Sequence, residues 1–526
     1  MKQLIIGVFV FLIANNTFAQ NKILVFYDAA NTSEAKILWE NGHARKVILD
    51  TLSNPARFTE NNLKNYHVLV FLNTSINRLN FRQSLEVQRF MQAGGGFVGV
   101  GKAAEKTYRW LWYEKMLGGA LAETQLENKL QLNLITNASI GKIELPPLWK
   151  AEDKPLIFDY IPTKCKPVLL DIMGKTWAWY YNTEEGGRMF YTALGVEPAI
   201  YNNTDFLNHV WSGIGEVSAK TALDYVKIAS TALPLEKNFL KITLSDSLQN
   251  PLALAVTKEN QVILVEQEGN IKMYKPQKRK FYTIGKLAIA NLRGIKLDPE
   301  YSQNGSIYTF SQSSPDEYKI GRMQIVGDSL AIMTDFSSQS NNPLPKNIIY
   351  DFDRSARGSY RLPKYFDKKS FRFDNEQGML LETFDEDSNV KNIEPFLEDT
   401  KFNFIQDMAF GADGALYFLE NGQLHKLDYS ETNRKPLAVA SADIVTGNLP
   451  LKVKFSSAGS IDYDKADVLN FEWNFDGLNL SSEPNSEFTF TKPGTYEVKL
   501  KVSDNHGESA ETSVKIQVNK APVKRR

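Results

Sequence analysis

The spacing of apolar residues changes near residue 235, and this change excludes a single uniform fold for the chain. Before it, short apolar runs alternate with stretches of helical spacing. After it, short strands with alternating apolar residues follow one another between turns. A chain of 526 residues is also too long for one ordinary core. The sequence therefore predicts a multidomain protein of about three domains, with a linker near 230–237.

The first domain, predicted at 20–220, alternates buried strands with helices. Helical spacing is clearest in RLNFRQSLEVQRFMQAG, which precedes a glycine run. Strands separated by helices predict an α/β fold whose sheet is parallel and covered on both faces. A closing helix is predicted at DFLNHVWSGIGE. The predicted strands are KILVFYD (22–28), RKVILD (45–50), HVLVFLN (67–73), GFVGVG (96–101), KLQLNLI (129–135), KPVLLDI (166–172), KTWAWYY (175–181) and RMFYTALG (188–195).

The second domain, predicted at 239–432, consists of short strands and hairpin turns. Turns such as Glu268-Gly269-Asn270 and Ala412-Asp413-Gly414 separate alternating strands. Four strands in about 40 residues are typical of the blades of a β-propeller. This segment is long enough for about four blades, so the sequence predicts a shortened propeller.

The third domain, predicted at 436–520, is a series of alternating strands. Trp473 lies in the middle of one of them, between Phe471 and Phe475. A tryptophan at such a position is typical of the core of a β-sandwich.

The amino terminus predicts export. Residues 1–19 contain one lysine, an apolar stretch from Leu4 to Ala14 and the small-residue motif Thr17-Phe18-Ala19, as in a secretory signal peptide. The apolar stretch is shorter than a membrane-spanning helix, and no later one is as apolar. We therefore expect an exported protein without a membrane span, located in the periplasm or at the cell surface.

Charge and cysteine content exclude several classes of function. The chain has 61 basic and 61 acidic residues, which leaves no basic surface of the kind that binds nucleic acid. Cys165 is the only cysteine, so an intramolecular disulfide is excluded. Its neighbours in IPTKCKPVLL include lysines and no base, which favours an inert packing residue over a nucleophile.

The first domain resembles the ThuA-like family (trehalose-utilisation type). The resemblance rests on GGGFVGVG…YRWLWYEKMLGG, on EEGGRMFYTALG and on FLNHVWSGIG, and it covers about residues 22–219. It implies a flavodoxin-like α/β fold related to that of class I glutamine amidotransferases. It also implies histidines at four strand ends and turns. Those positions here read ANTSEA (30–35), Gly101, AETQ (122–125) and Val196.

The five histidines of the chain all lie elsewhere. His67 begins a strand and His209 lies on the closing helix, where structural roles are expected for both. Neither a histidine base nor a set of histidine metal ligands is therefore expected at this crevice. The sequence predicts that the scaffold is kept and that the usual chemistry of the family is lost.

The second domain resembles the glucose/sorbosone dehydrogenase family of quinone-dependent propellers. LALAVTKENQVILVEQEGNI and GIKLDPEYSQNGSIY resemble its opening blades, and DMAFGADGALYFLENG resembles its closing blade. The segment from 348 to 387 resembles its late blades. The middle of that family, which supplies the catalytic histidine, the cofactor-binding arginines and the calcium loop, is missing here. We therefore expect no cofactor and no quinone chemistry.

The third domain resembles a PKD domain, an immunoglobulin-like module common on exported bacterial proteins. The resemblance runs from NRKPLAVASADIVTGNLPLKVKF to PGTYEVKLKVSDNHG and implies a role in spacing or adhesion. Asp462, Asp464 and Asp467 have a spacing that suits either a weak calcium site or a solvated acidic turn. We assign no metal ligands from the sequence.

Two groups of residues are candidates for a site in the first domain. Asp28 and Glu105 follow the first and fourth strands, and paired carboxylates can do acid–base work. Both are also ordinary loop acids. The aromatic candidates for ligand binding, which can equally be core residues, are Trp110, Trp112, Tyr113, Trp177 and Trp179.

These observations favour a binding protein over an enzyme. The functional hypothesis is an exported, non-catalytic protein that binds carbohydrate or a cell-surface component and is built on degenerate enzyme-like modules. The alternative is a divergent sugar-modifying enzyme that uses carboxylates in the crevice of the first domain.

Overall fold

A computed structural model describes residues 21–107, 110–138, 140–218, 223–226, 228, 233–245, 248–288, 291–314, 317–340, 364–366, 369–387, 389–464 and 466–520. The predicted signal peptide, part of the predicted linker and residues 348–363 of the predicted late blades lie outside these residues. The chain forms two compact units. One comprises Met1–Leu233 with Phe384–Glu398, and the other comprises Pro234–Thr383 with Asp399–Arg526.

A nine-stranded sheet in the order β2-β1-β3-β4-β11-β10-β9-β6-β7 forms the centre of the first unit. The first five strands of this order are parallel to one another, and each later strand is antiparallel to its neighbour. A separate pair joins β5 and β8. The strands are β1 Lys22–Tyr27, β2 Ile48–Leu52, β3 Val68–Leu72, β4 Gly96–Val100, β5 Ala120–Leu121, β6 Leu130–Thr136, β7 Leu148–Asp153, β8 Phe158–Tyr160, β9 Lys166–Asp171, β10 Thr176–Asn182 and β11 Arg188–Thr192.

Helices cover this sheet, and their starts are encoded locally. Asn80 caps α3 by accepting from the Gln83 backbone N–H at 2.9 Å, and Gln83 returns a bond to the Asn80 N–H, a reciprocal pair that satisfies two end groups of the helix. Asn203 caps α5 by accepting from the Asp205 and Phe206 backbone N–H groups. The helices are α1 Thr32–Ala44, α2 Glu60–Leu63, α3 Phe81–Gln92, α4 Leu111–Leu117 and α5 Thr204–Val217.

The α/β fold class is confirmed, but the sheet is mixed and not wholly parallel. The predicted strands from 166 to 195 form a meander, because the short turns between them allow only antiparallel neighbours. Strand β7 was not predicted. It lies at one edge of the sheet, where its alternating burial gives a weaker apolar signal than the fully buried strands β3 and β4.

The shortened propeller is also confirmed. Strands β13 to β16 and β17 to β20 form two four-stranded blades, and β21 pairs with β22 in another. Strand β12 joins β24 to β26, so the first and last strands of the segment share one blade. The strands are β12 Phe239–Ser245, β13 Pro251–Val256, β14 Val262–Glu266, β15 Asn270–Lys275, β16 Lys280–Lys286, β17 Leu292–Leu297, β18 Ser306–Ser314, β19 Glu317–Val326, β20 Ser329–Ser340, β21 Ser370–Asp374, β22 Gly378–Phe384, β23 Val390–Pro395, β24 Ile405–Phe410, β25 Leu416–Glu420 and β26 Gln423–Tyr429, with the short helix α6 Tyr301–Asn304 before β18.

The carboxy-terminal strands form the predicted sandwich. Its two sheets have the orders β27-β29-β32 and β28-β34-β33-β30-β31, and Trp473 is fully buried in the core. Arg434 joins the sandwich to the last blade: its guanidinium lies 3.3 Å from Asp428 and 2.7 Å from Asp464. The strands are β27 Ser441–Ala442, β28 Thr446–Asn448, β29 Leu451–Ser456, β30 Asn470–Phe475, β31 Leu480–Ser481, β32 Asn485–Phe490, β33 Gly494–Ser503 and β34 Ser509–Asn519.

In the part of the chain described by the structure, no helix has the length and apolar character needed to span a bilayer.

Candidate functional site

The topology places a crevice at the carboxyl ends of β1 and β3. In the strand order, β2 lies on one side of β1 and β3 lies on the other, so the order reverses at β1. Open α/β sheets bind ligands at the carboxyl ends of the strands where such a reversal occurs. Asp28 follows β1 and Asn73 follows β3, while Gly101 and Val196 follow the neighbouring β4 and β11.

Asn73 joins the loops around this crevice. Its side-chain Nδ2 donates to the Val196 carbonyl at 3.1 Å, and its Oδ1 accepts from the Lys102 N–H at 3.3 Å. Its own carbonyl accepts from Asn31 at 2.7 Å. The residue is 5% exposed. The polar atoms of Asn73 are therefore used to hold the loops together.

Gly101 has a backbone conformation that disfavours a larger residue. Its φ is +52°, in the left-handed region where a Cβ atom is strained. A Cβ placed there would also lie 2.9 Å from Asn73 Oδ1. The position after β4 that would carry histidine in the ThuA-like family is thus shaped around glycine.

Asp153 is a buried carboxylate beside this region, and it acts on the backbone. It accepts from the Gly195 N–H at 2.6 Å and from the Glu197 N–H at 2.8 Å. Burial raises its pKa, and these backbone bonds oppose that rise by stabilising the ionised form. Asp153 therefore fixes the loop after β11.

The two candidate acids are not joined in the structure. Asp28 lies 3.4 Å from the Arg78 guanidinium, and its side chain is about one third exposed. Glu105 is exposed at the end of the turn after β4. Within the described residues, no hydrogen bond connects the two carboxylates.

Four of the five aromatic candidates lie in the core. Trp110 is 4% exposed, Trp177 is 2% exposed, and Tyr113 and Trp179 are fully buried. Core carbonyls accept from two of them: the Tyr113 hydroxyl donates to Ala103 at 2.8 Å, and the Trp179 indole N–H donates to Leu117 at 2.9 Å. The four rings are thus packed within the fold itself.

Trp112 differs from these four because its ring is only half-buried and borders a pocket. Its indole N–H lies 3.1 Å from both carboxylate oxygens of Glu185, and its ring stacks on Trp110 at 4.8 Å between centroids. The pocket has a volume of about 690 Å³ and also contains Tyr160, which is 59% exposed.

Polar groups of both charges surround this Trp112 pocket. Glu184 and Glu185 come from the turn between β10 and β11, and Lys115 and Glu114 come from α4. Burial raises the pKa of Glu114, while a hydrogen bond from Thr107 lowers it. Lys164 lies 4.9 Å above the Tyr181 ring. The pocket therefore combines exposed ring surface with hydrogen-bond donors and acceptors.

The sandwich contains an acidic cluster at the loop named in the sequence analysis. Oxygens of Asp462, Asp464 and Asp467 lie within 4.8 Å of one another, and Asp467 also groups with Asp504 and His506. Buried Oδ2 atoms of Asp462 and Asp467 have no hydrogen-bond partner among the described residues. The structure therefore brings together the oxygens that the calcium alternative requires.

Family comparisons identify two of the domains. Residues 22–215 match the ThuA family, described as trehalose utilisation. Residues 22–215 form a ThuA domain. Residues 433–518 match a PKD domain family, so the chain also contains a PKD domain.

Comparisons with solved structures find similar proteins for each region. A ThuA-like protein from Bacteroides uniformis is 18% identical over 40% of this chain and 96% of its own, with a TM-score of 0.34. The soluble aldose sugar dehydrogenase from Escherichia coli is 12% identical over 36% of this chain and 100% of its own, with a TM-score of 0.28. The PKD1 domain of Vibrio anguillarum Epp is 28% identical over 17% of this chain and 100% of its own, with a TM-score of 0.15.

Sequence reasoning missed Asn73, Tyr160 and Glu185. Asn73 could have been found as the polar residue that ends the apolar run HVLVFLN. Tyr160 and Glu185 carry no local signal, because their place beside Trp112 depends on how β8 and the β10–β11 turn pack near α4.

Proposed function

We propose that this protein binds carbohydrate without turning it over, and that the Trp112 pocket of the ThuA domain is the binding site. The observation that carries this proposal is a partly exposed indole, held by Glu185 and placed with the exposed Tyr160 in a pocket of about 690 Å³. This volume lies within the range of small-molecule sites.

The lining of the pocket supports a saccharide as the ligand. A flat aromatic ring offers apolar contact area to the face of a pyranose, while carboxylates and ammonium groups accept from and donate to its hydroxyls. The family description, trehalose utilisation, supports a small neutral sugar. Because Glu185 fixes the Trp112 ring, little side-chain entropy is lost when the ligand binds.

The contacts of the crevice residues disfavour the alternative, an enzyme that uses the carboxylates of the crevice. A general base must lie within hydrogen-bond reach of the proton that it removes. At the crevice, the Asn73 side chain is engaged with loop backbone, and Asp28 is paired with Arg78. These contacts favour binding over the alternative of a carboxylate enzyme.

Export belongs to the same proposal. The signal-peptide pattern of residues 1–19 and the presence of a PKD domain support a location in the periplasm or at the cell surface. The expected partner is then a glycan or another component of the cell surface.

The test is a glycan array followed by calorimetric titration of the full-length protein with trehalose, maltose and cellobiose. We expect at least one saccharide to bind, and Trp112→Ala to weaken its binding at least tenfold. Trp112→Phe keeps the ring but loses the bond to Glu185, so it should bind with an intermediate affinity.

Asp28→Asn and Glu105→Gln are the matched controls, and neither should change binding. Mass spectrometry of the saccharide after prolonged incubation should find it unaltered. The proposal is wrong if no glycan binds, or if a product forms and Asp28→Asn or Glu105→Gln abolishes it.

A further inference from the structure

A second polar groove lies in the same domain, beside the edge strand β2. It has a volume of about 530 Å³. Its lining includes one large exposed ring and several hydrogen-bonding side chains: Trp39, Asp50, Asn54, Arg57, Asn62 and Tyr66. We call it the Trp39 groove. It shares no lining residue with the Trp112 pocket.

Trp39 presents its ring to solvent in a fixed orientation. The side chain is 44% exposed, although tryptophan is usually well buried. One face of the indole stacks on His43, one helical turn later in α1, with centroids 5.6 Å apart and planes 7° from parallel. The stacking holds the ring while part of its surface stays available to a ligand.

The negative charge in the groove is already compensated. Asp50 lies 2.8 Å from the Lys22 ammonium and accepts from the Tyr66 hydroxyl at 2.8 Å. Burial alone would raise the pKa of Asp50, but these two hydrogen bonds lower it. Asp50 therefore stays ionised, and its charge is balanced by Lys22.

Arg57 carries the uncompensated charge. Its side chain forms no ion pair with any described residue, and the residue is exposed. Asn54 and Asn62 each use one side-chain atom locally: Asn54 Oδ1 accepts from the Ala56 N–H, and Asn62 Nδ2 donates to the Arg57 carbonyl. Asn54 Nδ2 and Asn62 Oδ1 have no partner within the described residues.

We propose that the Trp39 groove binds an acidic saccharide unit, a uronate. Its carboxylate pairs with the Arg57 guanidinium, whose planar fork matches a carboxylate. Its pyranose face rests on Trp39, and its hydroxyls bond to the amides of Asn54 and Asn62. This site is independent of the proposed function of the Trp112 pocket.

The test is calorimetric titration of the full-length protein with trigalacturonate and with its methyl ester, at low and at high salt. The wild type should bind the acid at least tenfold more tightly than the uncharged ester. High salt should weaken the binding of the acid and leave the binding of the ester unchanged. Arg57→Gln should bring the two affinities within about twofold of each other. Trp39→Ala should weaken both by at least tenfold.

Trp112→Ala is the matched control, because it removes a tryptophan from the other pocket and should leave trigalacturonate binding unchanged. Circular dichroism and the melting temperature confirm that each variant is folded. The proposal is overturned if the folded wild type does not bind trigalacturonate, if acid and ester bind equally, or if Trp112→Ala weakens binding as much as Trp39→Ala. Loss of trehalose or maltose binding bears only on the Trp112 pocket.

Discussion

His209 is a fully buried histidine on α5 that forms no side-chain hydrogen bond with any described residue. Its ring lies between Phe190, at 5.4 Å, and Trp149, at 6.1 Å. Burial lowers its pKa from 6.5 to about 3, because the apolar surroundings disfavour the charged imidazolium. The buried, structural position of His209 therefore affects how the stability of the domain changes at acidic pH.

We predict that His209 makes the ThuA domain sensitive to acid. The unfolded chain takes up a proton at this residue below pH 6.5, whereas the folded domain does not until about pH 3. The contribution of His209 is thus fully present above pH 6.5 and is lost as the pH falls, by about 1.4 kcal/mol per pH unit. His209→Leu replaces the imidazole with an apolar side chain of similar size that does not titrate. In this variant, the part of the pH dependence of stability that is due to His209 should disappear.

The measurement compares melting temperatures of wild type and His209→Leu between pH 7.5 and 4.5. His43→Gln, a change at an exposed histidine, serves as the control and should melt like the wild type throughout. An unchanged slope in His209→Leu would refute the assignment.

At the scale of single elements, the acidic loop before β30 contains two buried carboxylate oxygens, one on Asp462 and one on Asp467, that accept no hydrogen bond from any described residue. The Asp467 side chain is 2% exposed, and its Oδ1 lies 2.9 Å from His506 while its Oδ2 has no described partner. Burial raises the pKa of Asp462, and the nearby charges of Asp467 and Asp464 raise it further. A hard cation with oxygen ligands would relieve this repulsion.

We therefore predict that calcium stabilises the PKD domain. Extracellular calcium sites have dissociation constants of about 10⁻⁴ to 10⁻³ M, so 10 mM Ca²⁺ should add about 1.4 to 2.7 kcal/mol to the free energy of unfolding. Calorimetry with and without chelator measures the effect. Asp467→Asn should abolish it, and Asp476→Asn, at an exposed turn of the same sandwich, should not. Equal melting of wild type in calcium and in chelator would contradict the prediction.

At the scale of the whole molecule, one short segment of the blade region is part of the first compact unit. Within that unit, the Lys115 ammonium donates to the Lys391 carbonyl at 2.9 Å, and the Glu398 carboxylate accepts from the Phe81 N–H at 2.5 Å. Strand β23 packs on α4. The blade segment expressed alone would lose all of these partners.

We predict that residues 236–434 aggregate or fold poorly when expressed alone. The fragment leaves strand edges uncovered that closure or neighbouring residues normally protect. Size-exclusion chromatography and calorimetry test this prediction. A monomeric fragment that melts cooperatively would show it to be wrong.

Residues 20–220 provide the comparison fragment. They contain every strand and helix of the nine-stranded sheet and its cover, so we expect a folded monomer. Its melting temperature should not change on addition of chelator, because histidine ligands are missing from its crevice. A clear decrease with chelator would contradict this expectation.

Much of the architecture could be predicted because it depends on local patterns. Alternating strands and helices give the α/β fold, short turns give the blades, and the buried strand around Trp473 gives the sandwich. Gly101 could be recognised as a place where the family histidine is missing. The positive φ of Gly101 could not be predicted from the sequence, because it depends on how the loop after β4 passes Asn73.

The sequence by itself determined the order of the domains and the absence of histidine from the family positions. Only the tertiary structure decided which aromatic residues are available to a ligand. Five rings on β10, on α4 and at its N-cap look alike in sequence, but packing buries four of them and leaves Trp112 beside a pocket. Trp39 was not a candidate at all, because its exposure follows from the position of α1 at the edge of the sheet. Exposure depends on contacts between residues far apart in the chain, which a local pattern does not encode.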